Sequence, residues 1–192
     1  EQTICEEYLE TTQDTTTRFS GCFAPQTEIV MADGTKKPVY QLQVGDMVLN
    51  PVTGKAARVG MTVAGPETGP TMEIGIAGAA PIQVTTDHAM ILERSSGGLE
   101  RVSLRTEGVQ SPYEIKRADK ISVGDRILVA DGTYKEVTTA RQLPGNSALM
   151  VFNFRVDGPL NDPREHMVLT GSGMVTGDLV IQVQLGGKIR GR

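Results

Sequence analysis

A chain of 192 residues, 39 % apolar and 22 % charged, holds enough apolar material for one domain with a full core. A net charge of −4 and the lack of a basic cluster argue against a nucleic-acid partner. No uninterrupted apolar run is long enough to span a bilayer, so no membrane partner is expected.

Residues 1–21 are polar, acidic and Thr-rich, and read as a tail with room for a short helix near its start. They show neither the basic flank nor the apolar core of a signal peptide. From Cys22 onward the pattern changes. TEIVMADG, GDMVLNP, ARVGMTVAG, PIQVTTDH, GDRILVADG, LMVFNFRVDG and GDLVIQVQLGG alternate apolar and polar residues between Gly, Pro and Asp-Gly punctuation. These read as short strands bounded by turns. Arg94 to Lys120 is more polar, with a long loop expected around Ser95-Ser96-Gly97-Gly98. No window of helical length carries a sustained helical stripe, so the expected class is all-β.

An internal repeat is visible. LQVGDMVLNPVTGKAARV from Leu42 matches ISVGDRILVADGTYKEV from Ile121, with Val44-Gly45-Asp46 against Val123-Gly124-Asp125. ADGTKKPV from Ala32 also echoes ADGTYKEV from Ala130. The spacing is too long for a solenoid and implies a duplicated β unit around a pseudo-twofold axis.

Few residues here suit chemistry. Cys22 stands straight after Gly21 at the entrance of a strand; a disulfide, a core thiol and a nucleophile are all open to it. Thr85 and His88, three apart at a strand end, can point at one backbone group or form an ordinary turn. His166 follows a charged loop, and Asn153 lies within the strand VFNFRV. Two cysteines, Cys5 and Cys22, are too few for a disulfide scaffold but enough for one bridge.

Taken together, Cys22 at the head of CFAPQTEIVMADGTKKPV, the T-x-x-H of Thr85 and His88, VFNFRV, and His166 ahead of LTGSGMVTGDL resemble the Hint family. That family comprises inteins, the autoprocessing domains of Hedgehog proteins and bacterial intein-like domains. The resemblance spans about Cys22 to Leu179 and implies a flat, horseshoe-like all-β fold. It divides the chain into an upstream flank (1–21), an autoprocessing domain (22–179) and a C-terminal extension (180–192).

It also implies a chemistry. Cys22 would attack the carbonyl of Gly21, giving a thioester by an N-to-S acyl shift. A glycine before the nucleophile leaves the attack unobstructed. His88 would protonate the leaving amine, Thr85 would donate its hydroxyl to the scissile peptide, and His166 would assist from the second half. No cofactor or metal is needed. The substrate is the chain's own upstream polypeptide, in a single turnover, and water, a thiol or an amine resolves the thioester. A monomer is expected, and the compartment is left open, export within a larger bacterial protein included. A bridge from Cys5 would lock Cys22.

Two departures from the family matter. Many members carry Asp where this chain has Asn153, which puts a general-base role there in doubt. Splicing inteins end in His-Asn followed by Cys, Ser or Thr, whereas this chain has Gly177-Asp178-Leu179. The chain therefore looks most like a non-splicing bacterial intein-like domain. The alternative is a catalytically degenerate β module that binds a partner.

Overall fold

A computed structural model describes residues 21–94 and 113–185. The short helix expected within residues 1–21 and the loop expected around Ser95 to Gly98 lie outside the described residues. Thirteen strands are present among the described residues: β1 (Glu28–Val30), β2 (Lys36–Pro38), β3 (Met47–Leu49), β4 (Ala56–Pro66), β5 (Thr71–Ile76), β6 (Ile82–Thr85), β7 (Ala89–Leu92), β8 (Glu114–Arg117), β9 (Arg126–Leu128), β10 (Tyr134–Leu143), β11 (Met150–Val156), β12 (Met167–Leu169) and β13 (Val175–Gly177). One α-helix, α1 (Leu179–Leu185), follows.

The repeat of the sequence is a repeat of structure. In the first copy a 3-10 helix, Val39–Gln41, leads through Val44-Gly45-Asp46 into the β3–β4 hairpin. In the second, Ala118–Lys120 leads through Val123-Gly124-Asp125 into β9–β10. Both turn glycines have left-handed backbone, φ 96° at Gly45 and 98° at Gly124, which accounts for glycine in both words. The following aspartates accept the same local bond: Gln43 N–H donates to Asp46 Oδ2 at 3.0 Å and Ser122 N–H to Asp125 Oδ2 at 2.9 Å.

The second echo has a different origin. Ala32-Asp33-Gly34-Thr35 joins β1 to β2, before the 3-10 helix, whereas Ala130-Asp131-Gly132-Thr133 joins β9 to β10, after it. The two turns share one geometry, with Thr35 and Thr133 hydroxyls donating to Asp33 and Asp131 at 2.6 Å each. They occupy non-equivalent places, so ADGT is a recurring turn word and not part of the duplicated unit.

The copies exchange strands. β4 continues into β5, yet β4 pairs with β11 from the second half, and β10 pairs with β5 from the first. Phe23 threads between the halves, bridging Phe152 of β11 and Val84 of β6. Its side chain is fully buried with Ile74, Val84 and Phe154 in the main core. Each such large apolar side chain contributes about 1.5–3 kcal/mol of burial.

One expected strand is a helix. GDLVIQVQLGG contains α1, not a strand. Asp178 begins it by accepting at Oδ1 from the N–H groups of Val180 (2.8 Å) and Ile181 (3.3 Å), an N-cap that outweighs the β-branched, alternating look of LVIQV. Val180, Ile181 and Gln182 are buried against the strands.

Candidate active site

The pairing of Phe23 fixes the place of its neighbour. Phe23 and Phe152 exchange backbone bonds of 2.7 and 2.9 Å, and Thr85 N–H donates to the Cys22 carbonyl at 2.9 Å. Cys22 is thereby held between β6 and β11 with no solvent exposure, in a small apolar cluster with Val63, Val151 and Leu179. The Gly21–Cys22 peptide lies inside the protein.

Its two polar ends are both gripped. The Cys22 N–H donates to Thr85 Oγ1 at 2.9 Å, and the Thr85 hydroxyl donates onward to Asp87 Oδ1 at 3.1 Å. Thr85 therefore accepts from the scissile peptide, where donation was expected. At the other end, Asn153 Nδ2 donates to the Gly21 carbonyl. The orientation of this amide is set by its other half, because Asn153 Oδ1 accepts from Phe154 N–H at 2.8 Å. Strand alternation on β11 turns Phe154 and Val156 into the main core, and Asn153 toward the Cys22 side.

His88 completes the group. A turn with His88 N–H donating to the Thr85 carbonyl at 3.1 Å carries both side chains to one side. The imidazole is fully buried and lies against Phe23, with ring centroids 4.3 Å apart. Among the described residues neither ring nitrogen has a hydrogen-bond partner in bonding geometry. Burial pushes its pKa down to about 4, outweighing the opposing effect of the nearby Gly21 backbone. The ring is therefore a neutral imidazole, not an imidazolium, near neutral pH.

His166 and Asp178 form a separate buried pair. His166 Nδ1 meets Asp178 Oδ2 at 2.9 Å and Nε2 meets the Pro159 carbonyl at 2.9 Å. Burial disfavours the charged ring, but the bond and charge of Asp178 outweigh it, and the pKa is raised. Asp178 Oδ2 also accepts from Val156 N–H at 2.9 Å. The structure thus brings together Gly21, Cys22, Thr85, His88 and Asn153, and ties His166 and Asp178 to the start of α1. The Asn153 donor to the carbonyl was not anticipated; an inward-facing carboxamide on a strand beside the cysteine was its signal.

The Cys22 sulfur is in a disulfide. The chain's other cysteine, Cys5, lies outside the described residues, and so does the Cys5–Cys22 bridge that the sequence left open. Among the described residues no three His, Cys, Asp or Glu side chains are placed to hold a metal ion.

The two histidines make opposite contributions to stability. The His88 pKa is lower folded than unfolded, so the unfolded chain takes the proton first. Stability should fall as pH drops from about 6.5 to about 4, by roughly 3 kcal/mol in all. His166, raised, contributes stability that is full below its ordinary value and lost as pH rises through the raised one. The lowered carboxyls of Asp33, Asp46, Asp131 and Asp162 act below 3.8, outside the His88 window. Denaturant melts across pH should show the acid loss, and His88→Gln should flatten it. An unchanged acid limb in that variant would contradict the burial account.

The architecture is a swapped duplication with a cysteine-bearing segment threaded between its halves. Solved structures share it. The bacterial intein-like domain from Clostridium thermocellum aligns with a TM-score of 0.61 and 22% identity, covering 82% of this chain and 99% of that one. A DnaB intein from Synechocystis sp. PCC 6803 aligns at 0.57 and 16%, covering 83% and 99%. The gp41-1 intein aligns at 0.58 and 14%, covering 82% and 98%. The chain has the Hint fold, as its sequence motifs implied. No family model and no curated protein matches it.

Proposed function

We propose that the chain is a self-processing domain that cleaves or transfers its own upstream segment at Gly21–Cys22 without splicing. The observation that carries this reading is the grip on one buried peptide group: Asn153 donates to its carbonyl and Thr85 accepts from its N–H. Once the disulfide on Cys22 is reduced, Sγ attacks the Gly21 carbonyl carbon. Negative charge develops on the carbonyl oxygen, where Asn153 Nδ2 already stands as donor. The neutral imidazole of His88 takes the thiol proton and delivers it to the departing Cys22 nitrogen. The S–C bond forms, the C–N bond breaks, and the proton moves from sulfur to the free amine. Water, a thiol or an amine then releases the acyl group. The disulfide on Cys22 favours a second reading, an idle module with its cysteine paired.

Splicing lacks its parts. Asp178 has no amide nitrogen to close onto its own carbonyl, and its carboxylate is taken up by His166, Val156 and the start of α1. Leu179 has no nucleophile. Fusing marker proteins at both ends and adding dithiothreitol should give an N-marker fragment and an uncut domain–C-marker fragment. A ligated product lacking residues 22–178 would overturn the non-splicing assignment, and no cleavage under reduction would favour the idle module.

A further inference from the structure

We infer that Gln182, on the helix that follows Asp178, selects glycine as the residue preceding the Cys22 nucleophile and holds the His88 loop in place. This rests on the self-processing reading above. Gln182 lies outside the span of the family motifs, and is 3 % exposed.

Its amide is pinned at both ends to the loop that carries His88. Oε1 accepts from Ala89 N–H at 2.8 Å, and Nε2 donates to the Asp87 carbonyl at 2.7 Å. The two bonds bracket His88 in the sequence. The stem of the same side chain fills the space beside Gly21. A Cβ on Gly21 would be driven into Cγ, Cδ and Oε1 of Gln182, far inside contact distance. A flexible side chain on a surface would swing away at little cost. This one cannot move without abandoning one buried and one half-buried bond to the backbone of the His88 loop. Only glycine fits.

The device depends on the departure from the intein ending. Asp178 pairs with His166 and caps α1, and Gln182 N–H donates to the Asp178 carbonyl at 3.0 Å one turn later. Where an intein would end in its cyclising Asn, this chain starts a helix whose next turn covers the upstream scissile bond. Gln182 is a positioning residue: it touches the residue that supplies the reacting carbonyl and fixes the loop of the proton carrier.

The test is a four-member cycle in the full chain: wild type, Gly21→Ala, Gln182→Ala, and both changes together. Melting temperature is read before any reductant is added, and thiol-induced cleavage is read after. In the Gln182 background, Gly21→Ala should lower the melting temperature by several degrees and slow cleavage about tenfold or more, as overpacking does. In the Gln182→Ala background, which removes the obstructing atoms, adding Ala at residue 21 should change neither readout further. A Gly21→Ala penalty of equal size in both backgrounds would overturn the inference. So would failure of the double variant to fold when Gln182→Ala folds. If the wild type melts cooperatively but never cleaves, the self-processing reading falls, and the melting cycle alone still decides the contact.

Discussion

Replacing Cys22 with Ala should leave the chain intact under every thiol and hydroxylamine treatment that cleaves the parent protein. The thioester route has one nucleophile, and the backbone that carries it is fixed by the pairing of Phe23 with Phe152. The Thr85 hydroxyl cannot replace it, since that oxygen is occupied by the Cys22 N–H and its proton by Asp87. The fold should survive, because Ala keeps the backbone bonds of residue 22 and empties only a small volume beside Val63, Val151 and Leu179. This substitution also removes the disulfide, so Cys5→Ser is the matching control. It removes the only other cysteine and keeps the nucleophile; it should cleave without added reductant. Cleavage that persists in Cys22→Ala, followed by intact mass, would exclude the thioester.

Asn153→Leu should slow thiol-induced cleavage by roughly 10²–10³-fold, the usual cost of losing one donor to a developing oxyanion. Leu matches the amide in shape but offers no N–H to Gly21. Asn153→Asp separates the donor role from any role as a base. Its carboxylate would face the Gly21 carbonyl with lone pairs on both sides, while Phe154 N–H still occupies the other oxygen. Near neutral pH it should be as slow as Leu. Wild-type rates in the Asp variant, measured by gel or mass, would show that donation to the carbonyl is not what Asn153 provides.

The all-β class and the duplication were legible because runs such as TEIVMADG and GDRILVADG lead into Gly turns, and because the Val-Gly-Asp word recurs with a left-handed glycine ahead of β3 and β9, at Gly45 and Gly124. Cys22, Thr85 and His88 were legible because they sit in local words. What stayed hidden depends on long-range placement. The chemistry of Asn153 follows from which way β11 faces, and the low pKa of His88 follows from burial against Phe23 that no local pattern records. Helix α1 was read as a strand because LVIQVQL alternates; Asp178 ahead of it was a capping signal that the alternation masked. Gln182 carries no motif at all. Its partners Gly21, Asp87 and Ala89 all lie more than 90 residues away in the chain.

The most direct measurement is the mass and N-terminal sequence of the products after the full chain is treated with reductant and then hydroxylamine. Hydroxylamine attacks a thioester far faster than an amide. The account predicts two products: a fragment ending in a hydroxamate on Gly21, and a domain whose first residue is Cys22. A chain that stays whole after its Cys22 disulfide is shown to be reduced would contradict it, as would a new N-terminus at any residue other than Cys22.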